Sequence, residues 1–175
     1  MIKVDPSNDK HHKLDNLINQ IVNEVRGITH NLSSQVVSEV GLRNAIGHLL
    51  NDTAQYLNAK KEYRYELKDA SNKDLMLNDD AAKMIYRIIQ EALTNATKHS
   101  KATSIGVSLL VLNNQVIINI TDNGKGMPAH HHTKPGIGIR NIKERVAYLS
   151  GFVRITSSPN NGVEINIKIP LSNVL

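Results

Sequence analysis

Apolar residues recur at Leu14, Ile18, Ile21, Val25, Ile28 and Leu32, in steps of four and three, with polar and charged residues between them. That two-in-seven stripe is the seam of a helix that pairs with other helices, although a surface helix packed on its own domain shows a similar pattern. Residues 1–10 ahead of it are polar and expected to be disordered. Ser33-Ser34 interrupts the stripe. A broader helical face then runs from Val36 to about Tyr56, carrying Leu42, Ala45, Ile46, Leu49 and Leu50. Tyr63, Tyr65 and Leu67 alternate with Arg64 and Glu66 as in a half-buried strand. Asn78-Asp79-Asp80 reads as the cap of a long helix beginning near Ala81. Beyond it the period changes to two. Ile105, Val107, Leu109 and Val111, then Val116, Ile118 and Ile120, flank the turn Asn113-Asn114 and predict a hairpin. A glycine-rich stretch, 122–138, leads to a helix at about 139–150. Strands near 152–158 and 163–169 follow, the last stopped by Pro170. Helices and hairpin-linked strands in this order predict an α+β, two-layer α/β sandwich: one mixed sheet with helices on one face, preceded by a long N-terminal helix.

Composition narrows the classes. A chain of 175 residues with 40% hydrophobic content supports one compact domain plus a helical segment. No run approaches the ~18 apolar residues that read as a membrane span, so no membrane contact is expected within this chain. The formal charge of +5 is spread along the sequence and aromatics are only 3%, which argues against a nucleic-acid surface. The chain has no cysteine, which removes disulfides and thiolate metal sites and fits a cytoplasmic location.

Three segments carry candidate chemistry. On the helix from Ala81 to Lys98, one face is apolar (Ala81, Ile85, Ile88, Ile89, Ala92, Ala96), while Glu91, Asn95 and Lys98 align at i, i+4 and i+7 along its edge. A neutral amide oxygen suits Mg²⁺, which keeps few protein ligands. Lys98 and His99 can meet phosphate, and Glu91 can accept a proton or orient an attacking group. A solvated helix edge would look the same if nothing else accompanied it. Second, Asp122-Asn123-Gly124-Lys125-Gly126-Met127 follows a strand. A carboxylate there can accept a hydrogen bond from an exocyclic amine such as that of adenine, with Gly124 and Gly126 allowing a close approach, yet the same residues make ordinary turns. Third, Gly136-Ile137-Gly138 opens a helix, where free backbone N–H groups and the positive helix end favour phosphate. The stretch between the second and third segments has no apolar anchor and predicts a lid. Its consecutive His130, His131 and His132 point in different directions and read as solvated residues, not metal ligands.

In order and context, these segments resemble the GHKL ATPases, the superfamily of gyrase B, an Hsp-type chaperone, a mismatch-repair ATPase and histidine kinases. Ile89–Ser100 resembles the N box, Asp122–Met127 the G1 box and Gly136–Asn141 the G2 box. The wording Glu91-Ala92-Leu93-Thr94-Asn95, the Lys98-His99-Ser100 ending and Lys143-Glu144-Arg145-Val146 are most similar to histidine kinases paired with LuxR-type response regulators. Glu24–Leu32 followed by Gly41–Ala45 resembles that subfamily's second dimerisation helix running into its catalytic domain. The resemblance spans about residues 14–171. It implies the Bergerat fold, with residues 11–35 as part of a dimerisation helix and 36–175 as the ATP-binding domain. It also implies ATP and Mg²⁺ as cofactors, Asn95 on the metal, Asp122 on the adenine amine, and Lys98 and His99 at the phosphates. Gly124, Gly126, Gly136 and Gly138 would shape the pocket and lid. Glu91 takes the place of the water-activating base of hydrolytic members.

Three departures stand out. Val163 replaces a threonine whose hydroxyl commonly helps hold the adenine-site carboxylate. Ser33-Ser34 stand where relatives often carry a proline. The helix bearing the phosphoacceptor histidine is not recognised, since His30 falls on what resembles the second helix and His11-His12 in the polar start. The expected function is therefore the catalytic domain of a two-component sensor histidine kinase. It would pass the γ-phosphoryl of ATP to a histidine upstream of this sequence, as a homodimer through the N-terminal helix, for relay to a response-regulator receiver aspartate. This stretch alone is expected not to phosphorylate itself. An anti-sigma-type serine kinase would lack the heptad helix, and a non-catalytic ATP-sensing scaffold would not need Glu91 and Asn95 intact.

Overall fold

The computed structural model describes residues 35–54, 77–127 and 136–175, together with the backbone of 62–67. The heptad stripe of 14–32, the Ser33-Ser34 break, residues 1–10, His11, His12, His30 and the lid at 128–135 lie outside the described residues. Residues 35–54 are helical and are called α1. Then come β1 (Glu62–Leu67), α2 (Asp79–His99), β2 (Ser104–Leu112), β3 (Gln115–Asp122), α3 (Ile137–Tyr148), β4 (Phe152–Ser157), β5 (Val163–Pro170) and a short 3₁₀ turn. The strands form one sheet in the order β1-β2-β3-β5-β4. β1 runs parallel to β2 and the other neighbours are antiparallel, so the sheet is mixed, as expected.

Side-chain alternation decides which face the helices cover. Ile105, Val107 and Leu109 of β2, Val116, Ile118 and Ile120 of β3, and Ile165, Ile167 and Ile169 of β5 are buried in one cluster. Against them lie Ile85, Ile88, Ile89, Ala92 and Ala96 of α2, Val37, Ala45, Ile46 and Leu50 of α1, and Ile142 and Val146 of α3. On the opposite face the register aligns Ser108, Asn119, Asn166 and Arg154 in one polar row. One sheet face makes the core and the other meets solvent.

Local chemistry sets the joints that bring the site together. Asn78 caps α2, its side-chain oxygen accepting the Ala81 N–H at 2.8 Å. Its own backbone N–H donates to Val174 at 2.7 Å, tying the chain end to the start of the helix. Asn113 and Asn114, with φ of 52° and 58°, make the two-residue turn between β2 and β3 that matches the twist of a hairpin. α3 begins at Ile137, two residues earlier than its apolar spacing predicts, so Gly138 stands inside the helix and not in the loop before it.

Candidate functional site

Asn95 and Glu91 sit one turn apart on the edge of α2, next to a face that is otherwise buried. The first turn of α3 lies directly on them. A side-chain carbon placed on Gly138 would come 2.3 Å from Glu91 Oε1, 2.9 Å from Asn95 Nδ2 and 3.1 Å from Asn95 Oδ1. A larger residue here would displace the Glu91 and Asn95 side chains from their present positions, which gives a reason for a helix-weakening glycine. The Asn95 Nδ2 is buried and has no hydrogen-bond partner among the described residues. Buried amides are normally satisfied, so an orphan at a helix junction is a donor with bonding capacity left over among the described residues.

The turn after β3 forms the opposite wall. Asp122 Oδ1 accepts the Gly124 N–H at 2.8 Å, an Asx turn that fixes the carboxylate at the strand end. Asn123 fastens the loop from outside, its Oδ1 accepting the Thr103 and Ser104 N–H groups at 2.9 Å each. The Lys125 N–H donates to the Ser100 carbonyl at 2.8 Å and the Gly162 N–H to the Gly124 carbonyl at 2.8 Å. The Met127 N–H donates to Ser157 Oγ at 2.8 Å, and that hydroxyl donates to the Gly162 carbonyl at 2.7 Å. The loop is therefore held from both sides before any ligand arrives.

The glycines of this turn serve a purpose that their spacing does not reveal. A Cβ on Gly124 would meet the Ser100 carbonyl oxygen at 2.3 Å, and one on Gly126, whose φ is +68°, would meet the Ser158 carbonyl at 2.1 Å. Their missing side chains make room for the protein's own backbone. Gly136, by contrast, has nothing within 4 Å of such a carbon and stands at the start of α3.

Between these walls opens a cavity of about 1420 Å³. Glu91, Asn95, Lys98, His99, Asp122, Gly126, Gly136 and Gly138 all line it, whereas Gly124 is not among the lining residues and packs against Ser100. Lys98 and His99 are exposed at the rim, in the last turn of α2, where positive charge also suits the helix end. Around Asp122 the lining is apolar: Ile120, Val153, Ile155, Val163 and Ile165. An apolar lining beside one carboxylate suits a planar heterocycle bearing an amine.

Burial pushes the Asp122 carboxyl above its ordinary value, against the pull of the Gly124 N–H, the Ser100 hydroxyl and the Val163 backbone N–H. Val163, which has no side-chain hydroxyl, acts on the carboxylate through its backbone N–H. Ser100 is buried, its hydroxyl also donating to the Ala96 carbonyl, so its single proton serves one acceptor at a time. Sequence reasoning marks Ser100 only as the end of a motif. It also assigns no role to Arg87, Gln90 and Arg145, which line the same cavity. Nothing in the spacing of an amphipathic helix marks which of its cations turns inward.

Residues 80–173 match the family described as histidine kinase-, DNA gyrase B-, and HSP90-like ATPase. The chain is 30% identical over 168 residues to the sensor histidine kinase ComP of Bacillus subtilis, covering 93% of this chain and 21% of that protein. It is 25% identical over 158 residues to the sensor histidine kinase LiaS of the same organism, covering 90% and 42%. The chain thus spans less than half the length of these relatives. Among solved structures, the histidine kinase domain of a blue-light activated kinase from Erythrobacter litoralis superposes with a TM-score of 0.61 at 22% identity, covering 75% of this chain and 61% of that one. The histidine kinase AdeS of Acinetobacter baumannii gives 0.61 at 19% identity, covering 97% and 87%. At those identities the likeness is one of fold.

Proposed function

We propose that this chain, which belongs to the histidine kinase-, DNA gyrase B- and HSP90-like ATPase family, is the ATP-binding catalytic domain of a two-component sensor histidine kinase. Family membership implies ATP binding. The observation that carries the assignment of the site is the meeting of Asn95, Glu91 and the first turn of α3 across one cavity from Asp122. Asp122 receives the adenine amine. Lys98, His99 and the open end of α3 face the phosphates, while Gly124, Gly126, Gly136 and Gly138 set the backbone geometry. Asn95 can offer its amide oxygen to Mg²⁺, and its buried Nδ2, which has no partner among the described residues, is left to donate to an anionic oxygen. When bound, the ion would neutralise charge on the phosphates. Glu91 stands beside it, placed to orient the attacking group or take its proton. The helices supply position and charge, which is what phosphoryl transfer chiefly requires.

In the whole protein, residues 11–35 would form part of a dimerisation helix and residues 36–175 the catalytic domain. The acceptor histidine would lie on a preceding helix, and the phosphoryl group would pass to the receiver domain of a LuxR-type response regulator in the cytoplasm. No described helix is long and apolar enough to cross a membrane.

Calorimetric titration of ATP into this chain, with and without magnesium, tests the site. Magnesium-dependent binding is expected. Absence of binding would move the chain to a scaffold role. Incubation with γ-labelled ATP should leave no acid-labile phosphate on the chain alone, and labelling would instead promote His30 as an acceptor.

A further inference from the structure

The cleft extends beyond Glu91. Arg87 lies one turn before Glu91 on the same edge of α2, and Arg145 lies seven residues after Gly138 on α3, hence on the face that Gly138 presents to α2. Both arginines line the cavity that holds Asn95 and Asp122. Arg87 Nη1 donates to Gln90 Oε1 at 2.8 Å, which orients its guanidinium along the helix. Burial, foremost, and the neighbouring Arg145 charge hold Arg87 below its usual value, with Tyr86 opposing. The two cations are close enough to repel.

Arg145 carries the sharper signal. Its Nη1 is buried and donates to no acceptor among the described residues. Nor does any described carboxylate pair with it. The adjacent Glu144 turns to Arg140 at 3.6 Å on the exposed side, and Glu91 Oε1 lies at Gly138. A guanidinium has donors only, so a buried N–H without an acceptor beside a second cation is costly unless an anion arrives. Helical side chains lean toward the N-terminus of their own helix. Seven residues of α3 span roughly 10 Å, so a long side chain leaning that way would cover much of the distance from Arg145 back toward Gly138 and Glu91.

We propose that Arg145 is a binding residue for the terminal phosphoryl group of ATP, with Arg87 beside it, and that it makes the domain prefer ATP over ADP. The proposal rests on the nucleotide reading above. A planar fork of donors matches phosphate oxygens in pairs, which a lysine in the same place cannot do. The shared cavity favours the nucleotide over an acidic side chain of a protein partner, because the anion would then share one cleft with the residues proposed for metal and adenine.

The test is calorimetric titration of Mg-ATP and Mg-ADP into the 175-residue chain and its Arg145→Gln and Arg145→Lys variants, with thermal melts to check folding. Arg145→Gln should lower ATP affinity by about tenfold or more while leaving ADP affinity unchanged. Arg145→Lys should fall between, and it supplies the reading if the glutamine variant does not fold. Parallel loss of ATP and ADP would overturn the proposal in favour of a structural role. Unchanged ATP affinity would overturn it in favour of a protein carboxylate. Failure of the wild-type chain to bind either nucleotide would sink the nucleotide reading itself and this proposal with it. Binding of ADP alone would defeat only the role of Arg145.

Discussion

The N-termini of α2 and α3 are built for opposite ends. α2 is closed by the protein itself: Asn78 caps it, Asp79 and Asp80 occupy its first turn, and nine of its 21 residues are buried. α3 starts at Gly136 with no side-chain cap, no acid in its first turn and only two of its 12 residues buried. Ile137 at that start is 70% exposed. Both helix ends carry orphan N–H groups and the same partial positive charge. In α2 the Asn78 side chain takes up one of them. In α3 the first turn lines the cavity with no side-chain cap. The proposed phosphate site uses that uncapped end, beside a buried Asn95 amide with no partner among the described residues.

If that division holds, stability and binding should respond separately to substitution. The largest effect is expected at Asp122, the carboxylate across the cleft. Asp122→Asn keeps an acceptor for the Gly124 N–H but removes the charge, so ATP affinity should fall by about 1.5–3 kcal/mol, tenfold or more. Stability should move the other way. Burial raises the carboxyl's value in the folded state. Its favourable contribution is therefore complete below the unfolded value and is lost as pH rises through the folded one. At neutral pH the ionised group opposes folding, and asparagine does not. Thermal melts of the apo variant should thus match or exceed wild type at neutral pH, with the gap closing as pH falls into the carboxylate range. A variant that melts lower at neutral pH would mean that Asp122 belongs to the scaffold.

The converse substitution is Asn78→Ala. It removes the α2 cap and should cost about 1 kcal/mol in urea unfolding, with nucleotide affinity unchanged. Loss of affinity would show that the capped end of α2 communicates with the cleft, and the contrast between the helices would weaken.

The sequence discloses the two helix ends unequally. Asn78-Asp79-Asp80 ahead of an apolar face announces a capped helix, and Asn113-Asn114 between two period-two runs announces the hairpin, because in both cases the local residues satisfy the local backbone. Apolar spacing puts the start of α3 two residues late for the opposite reason. Gly138 reads as loop by propensity, yet it stands in the first turn of α3 with Glu91 and Asn95 where its side chain would be. That contact joins residues far apart in the chain. Glu91, Asn95 and Asp122 are legible because helical spacing and a strand end bring them to one place. Ser100 and Arg145 are not, since whether a serine or an arginine turns inward depends on the partner element and leaves no period. The exchange at Val163 is visible, yet the Ser100 hydroxyl and the backbone donors that act on Asp122 require the packed loop.

The finest test rewrites the open end to resemble the closed one. Gly136 has φ of −63° and ψ of 165°, ordinary extended geometry, with no atom of the described residues within 4 Å of where a Cβ would stand, so Gly136→Asp meets no clash among them. The new carboxylate can accept the N–H groups of the first turn and meet the positive helix end. Relative to glycine, that cap should raise apo stability by a few tenths of a kcal/mol. The same charge would occupy the donors that a phosphate needs and repel it, so ATP affinity should drop while the melting temperature rises slightly. Opposite signs from one substitution are hard to obtain by damaging a fold. If affinity holds as stability rises, the phosphates do not rest at the start of α3, and the contrast between the two helix ends reduces to one of packing.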